Sequence, residues 1–279
     1  MSENTKPPAS PLNVVRRGTG TPLLLLHGLG GNIASWGGLM DALARTNAVI
    51  AVDLPGHGDS PVTPAASTFR GIADAIAEFV HAEDIVGVDC VGHSLGGRVA
   101  LEMARRGIVG ATVALAPGGF WSTGESRFLK VSLLASGRFA RLSRPALPTL
   151  TRHAIGRAAL LTQISARPKQ VPPEMALREL RSFAATPTFD TLTRDLADGP
   201  VQEGTDKTRG PVTIVWGCKD RLLLPRQADR AVAVFPRARL HWISDAGHYI
   251  PWDAPDETLR LIRQERGPQV AEPDSRAPL

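Results

Sequence analysis

The 279-residue sequence has only two cysteines, and no apolar run approaches the ~18 residues a membrane-spanning helix needs. Cys90 and Cys218 are too few for a disulfide framework and match no metal-ligand spacing. Both are read as small buried residues beside strand ends, and nothing requires an oxidising compartment. Residues 1–11 hold Lys6 and three prolines but no apolar core of a signal peptide, which predicts a flexible N-terminal tail and a cytoplasmic protein. Internal repeats at solenoid or propeller periods are absent as well. Negative charge is missing from one long stretch. Between Ser126 and Lys169 stand Arg127, Lys130, Arg138, Arg141, Arg144, Arg152, Arg157, Arg167 and Lys169 with no Asp or Glu, in a chain whose net charge is only +5.

What is present is the patterning of one large α/β domain, with 43% hydrophobic residues. Strands are predicted at Asn13–Arg17, Pro22–Leu26, Ala48–Val52, Val86–Val91, Ala111–Ala116, Val212–Trp216 and Ala238–Ile243. Helices alternate with them at about Ala34–Ala44, Ser67–His81, from Leu95 onward, Gln227–Phe235 and Pro255–Glu265. The continuous run Pro22–Leu26 suits a strand buried on both faces, and the alternation predicts a mostly parallel, doubly wound sheet with helices on both sides. The rhythm breaks between residues 118 and 209, where helical patches near Phe128–Leu142, Ile155–Ile164, Pro173–Phe183 and Phe189–Leu196 occur without a strand. The expected organisation is a core of 12–117 and 210–266, an inserted helical cap at 118–209, and a disordered tail at 267–279.

The chemistry is organised around Gly92-His93-Ser94-Leu95-Gly96, which fits the nucleophile-elbow pattern G-x-S-x-G between a strand and a helix. A Cβ at Gly92 or Gly96 is expected to collide with the neighbouring strand and helix, while the turn lifts the Ser94 hydroxyl above the sheet. A nucleophilic serine needs a base, and the base needs an orienting acid. Asp220 follows one predicted strand and His248 follows the next, so both fall at the same sheet edge as Ser94. His27, His57 and His93 compete for the base role, and Asp245 for that of the acid. His27 and His93 adjoin the glycine loop and the serine itself, where a structural duty is expected, and Asp245 is expected to shape the loop before His248.

With these motifs in place the chain resembles the α/β-hydrolase family over everything but its tails and the details of the cap. His27-Gly28-Leu29-Gly30-Gly31 is similar to the family's oxyanion loop, and Asp53-Leu54-Pro55-Gly56-His57-Gly58-Asp59-Ser60 to its D-x-P-G-x-G-x-S turn. Trp216–Asp220 resembles its acid loop, and Gly247-His248 through Asp253 and Pro255 its histidine segment, although many members carry a glutamate where Asp253 stands. The resemblance implies backbone N–H groups of Leu29 and Leu95 as the oxyanion hole, a cap between the strands at 111–116 and 212–216, and no metal or organic cofactor. Serine rather than aspartate at the elbow favours acyl transfer over epoxide or halide chemistry.

Three activities stay open: hydrolysis of a carboxylic ester, thioester or lactone through an acyl-enzyme on Ser94; C–C bond hydrolysis or lyase chemistry on the same triad; or a ligand receptor with very slow turnover. Substrate contacts are expected from His27, Gly28, Trp36, Trp121, Phe128 and Tyr249, with Phe120 a further aromatic near the pocket. Tyr249, the only tyrosine, is otherwise assigned to packing. The partner is expected to be a small acyl substrate, with no nucleic acid. Residues 127–142 interleave basic and apolar side chains and predict a helix with one apolar and one cationic face. Its charge fits a solvated surface, steering of an anionic or carrier-linked substrate, or contact with an anionic membrane surface, the last not favoured.

Overall fold

A computed structural model describes residues 11–265; the predicted tails lie outside the described residues except for Pro11. Seven strands, β1 (Val14–Arg17), β2 (Thr21–Leu26), β3 (Asn47–Val52), β4 (Asp89–His93), β5 (Thr112–Leu115), β6 (Val212–Gly217) and β7 (Arg239–Ile243), form one sheet in the order β1-β3-β2-β4-β5-β6-β7. β1 runs antiparallel to β3, and every other pairing is parallel. The helices are α1 (Gly38–Ala44), α2 (Phe69–Ala82), α3 (Leu95–Arg105), α4 (Thr123–Leu142), α5 (Leu147–Arg152), α6 (Ala154–Leu161), α7 (Pro173–Ala185), α8 (Phe189–Asp198), α9 (Gln227–Val234), α10 (Ile250–Asp253) and α11 (Pro255–Glu265).

The leucine run of β2 shows how the two layers arise. Side chains alternate across a strand, so Leu24 and Leu26 join α2, α3 and α9 in one core, while Leu23 and Leu25 join α1 and α11 in the other. All four leucines are fully buried, as a central parallel strand requires. The strand order reverses about β2, with β3 on one side and β4 on the other. That places the loops after β2 and β4 side by side at the carboxyl edge, where open α/β sheets bind ligands.

Local chemistry moves several boundaries from their sequence expectation. The helix predicted at 34–44 is a 3-10 turn, Ile33–Trp36, followed by α1, because Gly37 breaks the chain at φ 52°. The elbow strand starts at Asp89 rather than Val86: Gly87 turns at φ 93°, and Val86 is exposed. At α2 the cap is Thr68, whose hydroxyl accepts the Gly71 N–H. α4 begins five residues before Phe128, set by a capping box in which Ser122 and Glu125 bind each other's backbone N–H. Cys90 is buried as expected, but Cys218 is exposed, because β6 ends at Gly217 and leaves it in the following loop.

Between β5 and β6 the chain is helical from α4 to α8 and has a small core of its own, in which Leu147 and Leu161 meet Ala176 and Leu180. α4 packs on α7 and α8. Among the described residues no helix is long and apolar enough to cross a membrane.

Candidate active site

Ser94 sits on the turn between β4 and α3 at φ 55° and ψ −113°, a left-handed conformation that non-glycine residues rarely hold. Its neighbours permit the turn. A Cβ on Gly92 would lie 2.1 Å from the Gly96 carbonyl oxygen, and one on Gly96 would lie 2.1 Å from that of Leu26. The turn is tied down by the Ser94 N–H to the Leu115 carbonyl (2.9 Å) and the Gly96 N–H to the His27 carbonyl (3.1 Å).

The loops after β6 and β7 bring Asp220 and His248 to the same place. His248 Nε2 is 2.9 Å from Ser94 Oγ, and Nδ1 is 2.9 Å from Asp220 Oδ2. An ionised carboxylate only accepts, so Nδ1 carries the proton and Nε2 is left to accept from the serine hydroxyl. The other Asp220 oxygen, Oδ1, accepts the N–H groups of Leu222 and Leu223, both at 2.9 Å, which fixes the carboxylate's orientation. Asp220 and His248 are almost wholly buried. Asp245 is on the surface, where it pairs with Lys219 and Arg167 and does not reach His248.

The three competing histidines, His27, His57 and His93, bond to backbone groups rather than to Ser94. His27 Nδ1 donates to the Gly28 carbonyl and Nε2 accepts the Leu54 N–H, so its 3.8 Å approach to Asp53 involves a neutral ring. Burial lowers its pKa to about 4, and lowers those of His57 and His93 to about 3. His93 Nε2 donates to the His248 carbonyl at 2.9 Å and so holds the loop that carries the base candidate. Asp253 accepts the Gly247 N–H (2.7 Å), the Ala166 N–H (2.8 Å) and the Ser165 hydroxyl (2.6 Å), joining that loop to the inserted helices.

Leu29 and Leu95 line the same cavity as Ser94. Among the described residues neither N–H donates a hydrogen bond, which leaves both available to a developing oxyanion. The Leu29 loop is held by Asp53, which accepts the Ile33 N–H (2.7 Å) and the Asp59 N–H (2.9 Å) and so welds it to the D-x-P-G-x-G-x-S turn.

The cavity is lined mainly by apolar side chains, among them Trp121, Leu129, Leu133, Phe183 and Leu223. Of the residues expected to touch substrate, Gly28, Trp121 and Tyr249 line it. Trp36 is buried in the core beside α1, His27 is buried and bonded to Gly28 and Leu54 without lining the cavity, Phe120 is buried in the other core, and Phe128 points to solvent. The free space is about 40 Å³, well below the several hundred Å³ of typical ligand sites. Among the described residues no cluster of His, Cys, Asp and Glu is placed to hold a metal ion.

Two charged residues at the site escaped sequence reasoning. Arg98, one turn after Ser94, lines the cavity although nearly fully buried. Its Nη2 donates to the Pro200 carbonyl (2.7 Å), and its guanidinium lies 3.8 Å over the Phe69 ring. Burial lowers its pKa to about 10, so it stays charged at neutral pH. Glu179 of α7 is buried and accepts the Tyr249 hydroxyl and, at 2.7 Å, that of Ser35. Burial outweighs these bonds and raises its pKa to about 7. The signal was present in both cases: each charge falls at i+3 of an apolar helical stripe, Leu95-Arg98-Val99 and Ala176-Glu179-Leu180-Phe183.

Residues 23–261 match the sequence profile of the Alpha/beta hydrolase family. An uncharacterized protein of Mycobacterium tuberculosis (strain ATCC 25618 / H37Rv) is 31% identical over 269 residues, covering 92% of this chain and 77% of its own length. An esterase of Escherichia coli (strain K12) is 23% identical over 263 residues, covering 88% of this chain and 92% of its own. Among solved structures, a thermophilic esterase from Thermogutta terrifontis superposes with a TM-score of 0.70 at 23% identity, over 91% of this chain and 92% of that one. The sheet order, the elbow and the profile match together place this chain in the alpha/beta hydrolase family, as an enzyme of the hydrolase type.

Proposed function

We propose that the chain is a serine hydrolase that cleaves a carboxylic ester, thioester or lactone through an acyl-enzyme on Ser94. The observation that carries this reading is the unbroken chain Asp220–His248–Ser94, with both links at 2.9 Å, ending at a cavity also lined by Leu29 and Leu95. In the first half-reaction His248 Nε2 takes the Ser94 proton as Oγ bonds to the substrate carbonyl carbon. The carbonyl oxygen, now negative, is held by the N–H groups of Leu29 and Leu95. Asp220 stabilises the imidazolium, which passes its proton to the departing alcohol or thiol as the carbonyl re-forms. In the second half-reaction His248 draws a proton from water. The resulting hydroxide attacks the acyl carbon, and Ser94 leaves with its proton restored.

The apolar lining favours a substrate whose acyl or leaving group is hydrocarbon-rich, and the E. coli relative's designation as an esterase points to the same bond class. The two cysteines, neither in a disulfide, fit the reducing cytoplasm as the working compartment. A panel of activated esters of graded chain length tests the reading under pre-steady-state conditions. A burst of leaving group equal to the enzyme concentration, or deacylation that is fast and burst-free with Ser94-dependent turnover, supports it. Turnover undiminished in Ser94→Ala refutes it.

A further inference from the structure

α4 does not have the one apolar and one cationic face expected of it; it has two apolar faces. Leu129 and Leu133 point inward, are buried, and line the cavity beside Ser94. On the opposite side Phe128, Val131, Ala135, Phe139 and Leu142 recur at intervals of three and four, the spacing of a single helical stripe. The four large members of that stripe are 47%, 67%, 53% and 73% exposed. Its 15 residues, fourteen rises of about 1.5 Å, make it about 21 Å long.

The charges around the stripe are sorted. Lys130 and Arg141 are engaged by Asp198 and Asp190 of α8, which fastens α4 to the inserted helices. Arg127 and Arg138, eleven residues apart and hence on one side of the helix, form no ion pair among the described residues, and neither do Arg144 and Arg152 beyond its end. No acidic residue occurs anywhere from 126 to 169. A second copy of the chain is a poor cover for this face, because a two-fold contact through α4 would set these arginines against their own copies with nothing to neutralise them. The chain's own ends are poor covers too: residues 1–10 hold Met1 as their one bulky apolar side chain, and 266–279 hold Val270 and Leu279.

We propose that the outer face of α4 docks on an anionic lipid bilayer. The apolar stripe enters the headgroup–acyl boundary, and Arg127, Arg138 and Arg144 reach lipid phosphates and carboxylates at its edge. A bilayer supplies the two things this face lacks, an apolar layer parallel to the helix and a sheet of negative charge. The inner face of the same helix covers Ser94, so docking sets the membrane one helix diameter from the reaction centre. This inference stands apart from the chemistry assigned to Ser94.

The experiment is flotation of the full chain with vesicles of phosphatidylcholine alone or of equal parts phosphatidylcholine and phosphatidylserine, at about 0.1 M salt. The expected result is retention on the phosphatidylserine vesicles only. Arg127→Gln with Arg138→Gln should weaken it roughly twenty-fivefold, about a fivefold factor for each charge. Val131→Ser with Leu142→Ser should abolish it. All these positions lie outside the cavity, so turnover of a soluble short-chain ester should be unchanged, which shows that each variant is folded. Absence of retention on phosphatidylserine vesicles overturns the proposal. So does retention that survives Val131→Ser with Leu142→Ser, or a dimer in size-exclusion chromatography that those substitutions dissociate. Binding to a poly-aspartate matrix with none to vesicles would assign the face to an acidic protein instead.

Discussion

Ser94 holds its hydroxyl at the cavity only by adopting φ 55°, a strained conformation worth about 1–3 kcal/mol. Glycine relieves that strain at an entropic cost of about 0.5–1 kcal/mol, so strain relief wins. Ser94→Gly is therefore expected to raise the stability by about 1 kcal/mol over Ser94→Ala, as read by urea denaturation, while both lack activity. Gly96→Ala carries the opposite expectation, loss of several kcal/mol, because its Cβ meets the Leu26 carbonyl at 2.1 Å with backbone on both sides. The acid is tested by contrast. Asp220→Asn should lower kcat about 10⁴-fold in a folded protein, since the wrong tautomer then faces Ser94. Asp245→Asn, on a surface residue paired with Lys219, should leave kcat within about twofold. The Ser94, Asp220 and His248 positions were legible in the sequence because each stands in a short motif at a strand's end. Trp36 was not placed by the sequence, because position along the chain does not say which side of the sheet a ring packs on, and it packs beside α1.

At the scale of elements, α7 reaches the site twice, through the Phe183 ring that lines the cavity and through the buried Glu179 carboxyl. Glu179 accepts from Tyr249, the neighbour of His248, and from Ser35 in the 3-10 turn beyond Leu29. Burial raises its pKa to about 7, so between the ordinary carboxylate range and pH 7 the folded protein retains a proton that the unfolded chain has released. Stability contributed by this group is thus full at low pH, falls as pH rises through that window, and levels off above it. The span is about 3 kcal/mol. Glu179→Gln should remove this slope: the difference in unfolding free energy between variant and wild type, measured by denaturant titration, should grow in the variant's favour from about pH 5 to about pH 7.5. A constant difference would show that Glu179 is ionised throughout. The element order and the strand-free stretch between β5 and β6 were readable from periodicity alone. The start of α4 was not, because the Ser122 capping box lies ahead of the apolar pattern, and neither was its second apolar face, because a stripe read along the sequence does not say which side finds a partner.

For the molecule as a whole, charge and chemistry are segregated. Residues 118–209 carry fourteen Arg and Lys against eight Asp and Glu, so the inserted helices alone exceed the net charge of +5 and the sheet domain is close to neutral. The neutral part supplies Ser94, Asp220, His248 and the N–H groups of Leu29 and Leu95 at one sheet edge, and the cationic part covers them. The central claim is that Ser94 becomes the acylated atom at this junction. It is tested most directly by incubating the protein with an alkyl fluorophosphonate and mapping the adduct by intact and peptide mass spectrometry. A single adduct on Ser94, absent from Ser94→Ala and slowed at least about a thousandfold in His248→Ala, is the predicted result. An adduct on any other residue, or one that forms equally fast in Ser94→Ala, would contradict it.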